Sequence, residues 1–370
     1  MFKELTNEQK TVILTSRLTF NTEDEENLNC LLKEELDWYE IFRIATKNKV
    51  VSLIWFNLHN RGYSDKIPSN LERIMYFYYL GTKYRNKSCL DNMKDILLKI
   101  EEKGVQCVPL KGGELIPELY KDLGIRSIND IDLMLKYSDT SSIRSIMNEL
   151  GYIEGDYDES TNSIIKIGRE KRILWKNKMN NLFPFKKITN SEYVHIFEFD
   201  FCFSLDLDLN NDPVNLMVSR ANKENKYGHL SLRPSDFFIH LCCHLYKEAT
   251  NAMWVIIGKD LNLIKFCDVR EFFLNKLSKQ DIREAIEFSK RYGLEKAVYF
   301  TLYYLKEIYN DGYEIELMEQ LSIEDNEFIN TFGNKDYGKD LEWKKDFWQR
   351  LFSNDNKDEL QELPRYLYME

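Results

Sequence analysis

The segment Leu110–Leu135, LKGGELIPELYKDLGIRSINDIDLML, constrains the fold of this chain more than any other stretch. It reads as a strand, a Lys-Gly-Gly turn, a short helix and a second strand carrying Asp130 and Asp132. Strand side chains alternate between faces, so residues two apart point the same way. Asp130 and Asp132 are therefore expected to project together, with Ile131, Leu133 and Leu135 filling the core beneath. Two carboxylates fixed side by side on a rigid element are costly unless a positive partner neutralises them. A divalent cation answers that need, and an all-oxygen site suits Mg²⁺.

Around this segment the apolar period is mostly helical. The stretch LNCLLKEELDWYEIFRIATKNKVVSLIWFNLHNRG repeats apolar residues at three- and four-residue spacing, and SNLERIMYFYYLGTKYRNKSCLDNMKDILLKIEEKG predicts one or two long helices stopped by Gly104. From Val105 the period shortens: VQCVPL reads as a buried strand, and Ser138–Gly151 as a helix with polar N-cap candidates and a terminal glycine. Tyr152 to Lys171 is polar and reads as loop or short strand, and both halves of Arg172–Leu209 read as β. In the second half Phe197, Phe199, Phe201 and Phe203 share one face, and Glu198, Asp200 and Cys202 the other. Beyond Asp212 the helical period returns, with Pro234 and Ser235 or Asp236 at a helix start. The chain is thus expected to be α+β and mostly helical: a helical N-terminal region over 1–101, an α/β core over 102–210 and a helical C-terminal domain over 211–370.

Charge and composition remove several classes of function. A formal net charge of −10 argues against nucleic acid as a general partner, because that affinity needs a basic field. The opening MFKELTNEQKTVIL lacks a signal peptide's apolar core, and no run approaches the roughly 20 apolar residues of a membrane span. Seven cysteines without a C-x-x-C pair read as reduced thiols, so a cytoplasmic protein without cysteine-bound zinc is expected. His240 and His244 stand four apart on one helix face, a spacing that can hold a metal. No HExxH glutamate or third ligand accompanies them, and packed helical histidines are the expectation.

The residues Lys111, Gly112, Gly113, Leu115, Tyr120, Arg126, Asp130, Ile131 and Asp132 together resemble the little-characterised bacterial nucleotidyltransferases of the DNA polymerase β superfamily. That superfamily carries a Gly-rich turn, a helix and a strand with Asp-x-Asp. The turn departs from the superfamily's commonest Gly-Ser by reading Lys-Gly-Gly, as the family itself does. Asp37–Trp38, an Ile-x-x-x-Ala run and a valine-rich helix start are similar to the family's N-terminal part.

The resemblance implies a small polymerase-β-like sheet domain flanked by helical regions. It implies a Mg²⁺-dependent enzyme, with two ions, that moves a nucleoside monophosphate from a nucleoside triphosphate such as ATP to a hydroxyl and releases pyrophosphate. The superfamily's third carboxylate comes from a later strand, where Glu198 and Asp200 both qualify; whichever lies nearer the acceptor would take the hydroxyl proton. In the family this strand tends to read acid–apolar–His–aromatic, and neither alignment restores the His. Gly112 and Gly113 fit a phosphate cradle, Lys111 a counter-charge for the β- or γ-phosphate, and Arg126 a phosphate contact or a lock on the loop. The acceptor is expected to be a small molecule, peptide or protein. The alternative is a degenerate member that binds nucleotide in a regulatory role without turnover.

Overall fold

The computed structural model describes residues 5–223 and 228–360. The chain forms two compact units. One gathers the described parts of Met1–Thr82 and Leu241–Tyr368 with Gly124–Arg126, and the other gathers Lys83–Leu123 and Ser127–His240. The N- and C-terminal helical stretches therefore share one unit.

That helical unit opens with α1 (Asn7–Thr15), α2 (Thr22–Leu31), α3 (Trp38–Lys47) and α4 (Val51–Asn60). Local chemistry sets the starts. Thr6 and Asn21 each close a reciprocal capping box, and Asp37 accepts from the Tyr39 and Glu40 amides. The stripe Trp38, Ile41, Ile44 and Ala45 then buries one face of α3. Next comes α5 (Ser69–Glu102), one unbroken helix of 34 residues, about 50 Å long at 1.5 Å per residue. Gly104 ends it at φ +76°, a conformation a side chain would penalise.

The second unit is built on a mixed six-stranded sheet in the order β1-β2-β6-β5-β3-β4. The strands are β1 (Cys107–Pro109), β2 (Ile131–Leu135), β3 (Ile153–Asp158), β4 (Ser163–Lys166), β5 (Phe185–Ile188) and β6 (Ile196–Cys202). Between β1 and β2 lies α6 (Lys111–Leu115), which runs on as a π-turn over Ile116–Tyr120. Between β2 and β3 lies α7 (Thr140–Glu149), stopped by Gly151 at φ +79°. Only β2 and β6 pair in parallel; the other neighbours are antiparallel. Ile131, Leu133 and Leu135 of β2 join Phe199 and Phe201 of β6, Ile143, Ile146 and Met147 of α7, and Met93, Ile96 and Ile100 of α5 in one core. Each such side chain contributes about 1.5–3 kcal/mol on burial. The phenylalanine alternation of β6 is thus a core face, as expected.

One expectation is overturned here. RILWKNK is not a strand: Arg169–Lys178 forms α8, with none of its residues buried. Arg, Lys, Glu and Leu are strong helix formers, and a paired strand would have desolvated charges that α8 leaves in water. The polar stretch after Tyr152, expected as loop or short strand, forms a short hairpin, β3 pairing with β4 from Gly155↔Lys166 to Asp158↔Ser163. Gly155 permits it, since a Cβ there would lie 2.1 Å from the Ile165 carbonyl oxygen.

After β6 come α9 (Asp212–Ser219), α10 (Pro234–Thr250), α11 (Ala252–Ile256), α12 (Leu263–Lys276), α13 (Lys279–Tyr292), α14 (Glu295–Ile308) and α15 (Tyr313–Leu321). In the helical unit a buried ionic cluster joins the ends of the sequence. Arg270 donates to Glu271 and, at 2.6 and 2.7 Å, to both oxygens of Asp311. Glu271 in turn accepts from the Leu18 and Thr19 amides and the Thr19 hydroxyl. Breaking one partner of such a cluster strands a buried charge, at about 3–5 kcal/mol. Among the described residues, no helix is long and apolar enough to cross a membrane.

Candidate active site

Asp132 is the centre of the candidate site. It is the one charged residue of β2, a strand whose five residues are all buried, and it is 8% exposed. Burial pushes its carboxyl up to about 7; Lys111 opposes that rise, while Asp130 and Asp200 add to it. The Lys-Gly-Gly turn is fixed to the same residue twice. The Leu110 amide donates to the Asp132 carbonyl at 2.9 Å, and Lys111 Nζ donates to Asp132 Oδ1 at 2.7 Å.

The parallel register sets what lies beside it. Asp132 faces Asp200 directly, one pair along from Ile131↔Phe199. Residues opposite one another on neighbouring strands project to the same face, so the two carboxylates share it. Asp130 precedes β2 and is exposed. Asp200 accepts from Asn181 Nδ2 at 2.5 Å. Glu198 stands one pleat earlier, opposite Lys186 of β5, whose Nζ lies 3.6 Å from it.

The remaining expected residues have other surroundings. Gly112 and Gly113 are buried at the start of α6, and neither has a positive φ. The Gly113 amide donates to the Leu110 carbonyl, and a Cβ on Gly113 would meet Met93 Sδ at 2.8 Å. Close packing of α6 on α5 and on Pro109 therefore favours glycine at 113. The left-handed residue of the turn is Lys111, at φ +43°. Arg126 belongs to the helical unit, where its Nε and Nη2 donate to Asp268 at 2.9 and 2.7 Å in a buried pair. His240 is buried near Phe237, and His244 Nε2 lies 3.3 Å from Glu248.

Two groups near the motif stand outside the set expected from the sequence. Asn181 is 9% exposed, and its Oδ1 is buried without a hydrogen-bond partner. Glu114, next in sequence to the glycine pair and also buried, meets His229 Nε2 at 3.1 Å. The Asn180–Asn181 pair ahead of an apolar run was the only hint of the first; the second joins residues 115 apart.

Among the described residues, no three His, Cys, Asp or Glu side chains form a ready-made metal site. The donor chemistry nonetheless suits a hard divalent cation. Asp130, Asp132 and Asp200 offer only carboxylate oxygens, and Asp132 and Asp200 share one face of the sheet.

Asp132 of β2 thus lies beside Asp200 of the parallel strand β6 and is bonded to a lysine–glycine turn. Residues 34–310 match the family of uncharacterised nucleotidyltransferases, and the chain belongs to that family. Membership supports a general nucleotidyl-transfer function. No curated protein and no solved structure matches the chain.

Proposed function

We propose that the chain is a Mg²⁺-dependent nucleotidyltransferase. It moves a nucleoside monophosphate from a nucleoside triphosphate to a hydroxyl of a small molecule, peptide or protein. The observation that carries this reading is the side-by-side placement of Asp132 and Asp200 with Lys111 at the turn.

The acceptor oxygen attacks the α-phosphorus and forms a new P–O bond. The bond from that phosphorus to the bridging oxygen breaks, and pyrophosphate leaves with the electron pair. The acceptor's proton passes to a carboxylate, for which Asp200 is the candidate because it lies directly beside Asp132. Asp130, Asp132 and Asp200 would hold the metal ions. Magnesium, when bound, supplies positive charge to the entering and leaving oxygens. Lys111 supplies fixed positive charge at the turn for the outer phosphates. Net negative charge supports a small or proteinaceous acceptor over a polynucleotide.

The test is to incubate the purified protein with each nucleoside triphosphate, with and without Mg²⁺, and follow pyrophosphate. Mg²⁺-dependent release is the expected result. Nucleotide binding without release would place the chain among regulatory, non-catalytic members, and ADP with phosphoryl transfer would overturn the nucleotidyl reading.

A further inference from the structure

We propose that Lys111 is an exchangeable counter-ion: it neutralises Asp132 in the nucleotide-free protein and passes to the triphosphate when nucleotide binds. The inference rests on the nucleotidyltransferase reading and concerns how that site is regulated.

The geometry is that of competition. Lys111 Nζ lies 2.7 Å from Asp132 Oδ1, an oxygen a metal ion would need, and both side chains are largely withdrawn from water, at 19% and 11% exposure. A metal approaching the site must displace an ammonium group that is already desolvated there. The pair is also local in cost. Lys111 sits at φ +43°, a region that penalises a residue with a Cβ by about 1–2 kcal/mol. Glycine would hold that conformation without penalty, and two glycines follow immediately. The presence of lysine at the strained position is explained by its charge.

A triphosphate changes the balance. It offers Lys111 a more highly charged partner close to the same turn, and a flexible four-carbon stem lets the ammonium follow it. Asp132 is then left beside Asp130 and Asp200 without its lysine, which favours metal at that moment. Metal and nucleotide binding become coupled, and by linkage each strengthens the other by the same factor. The free protein holds metal weakly, and metal loading awaits the substrate.

The test compares wild type with Lys111→Met, which keeps the stem and loses the charge. Mn²⁺ binding to nucleotide-free protein is followed by electron paramagnetic resonance, and inorganic tripolyphosphate binding by calorimetry in chelator. Lys111→Met should bind Mn²⁺ about 10-fold tighter and tripolyphosphate about 10-fold weaker, while Lys111→Arg keeps the wild-type pattern. A lysine that merely braced the site would give the opposite sign for Mn²⁺, so unchanged or weaker Mn²⁺ binding overturns the exchange. Should Lys111→Met fail to fold, judged by its melting curve, Lys111→Gln answers the same question. Wild type that binds tripolyphosphate, with no Mn²⁺ gain in the variants, overturns the exchange alone. Wild type that binds neither probe overturns the functional reading as well.

Discussion

Asp132 and Asp200 face one another across the parallel pair of the sheet, β2 against β6. Parallel neighbours need a long crossover, and here the 60 residues 136–195 lie between the end of β2 and the start of β6. The proximity of two like charges is therefore a product of topology and not of local sequence. Asp132→Asn and Asp200→Asn should each lower pyrophosphate release at least about 100-fold, roughly 2.7 kcal/mol of transition-state stabilisation. Glu198→Gln, which alters the acid opposite Lys186, should stay within a few-fold of wild type. Steady-state kinetics on the three variants checks the assignment, and the reverse ranking would move the third carboxylate to Glu198.

The raised Asp132 carboxyl gives a pH dependence with a definite sign. The folded group titrates near 7 and an unfolded aspartyl near 4. Between those values the folded protein holds a proton that the unfolded chain has lost. Stability of the metal-free protein should therefore fall as pH rises through this window, by on the order of 1 kcal/mol per pH unit from this group. Asp132→Asn should flatten that slope. Chemical denaturation of both proteins at pH 5, 6 and 7 measures the difference, and parallel slopes would deny the shift.

Much of this arrangement is legible in the residues, and the missing parts have physical causes. The phenylalanine alternation of β6 and the apolar stripe of α7 are readable because burial repeats at fixed periods. The stretch that became α8 misleads because Ile173, Leu174 and Trp175 look strand-like in isolation, while the flanking charges decide for helix. Glu198 and Asp200 occupy alternate positions of one face, so the sequence treats them alike. Register alone distinguishes their neighbours, and register is set by contacts far apart in the chain. The Arg126–Asp268 pair spans 142 positions and has no local signature.

Gly113 offers a test of packing near the turn. A Cβ at 113 would lie 2.8 Å from Met93 Sδ and 3.3 Å from Pro109 Cβ. Helix propensity favours alanine by about 1 kcal/mol, and overpacking opposes it by about 1–3 kcal/mol. Gly113→Ala should be destabilising on balance, because Pro109 is held in β1 even if the methionine end moves. In a double-mutant cycle with Met93→Ala, the pair should be less damaging than the sum of the two changes. Denaturation midpoints for the four proteins provide the measurement, and strict additivity would show that the two positions do not touch.

Asn181 is placed to orient Asp200. Its Nδ2 donates to Asp200 Oδ1 while its own Oδ1 is buried without a partner. An unsatisfied buried carbonyl costs about 1–3 kcal/mol, so stability alone gives no reason for an amide here. Turning the amide over would set oxygen against carboxylate, which fixes the orientation in which the nitrogen donates. The backbone is anchored as well, by Trp175 Nε1 to the Asn181 carbonyl at 3.2 Å and by the bridge to Cys202. One Asp200 oxygen is thereby held, which fixes the carboxylate beside Asp132. Asn181→Leu should lower the turnover number about 10-fold with little change in the KM for nucleotide, and leave the melting temperature the same or higher. A structural role would instead lower the melting temperature and leave turnover of the folded fraction intact. Kinetics together with a thermal melt separates these outcomes, and loss of stability without loss of turnover would remove Asn181 from the site.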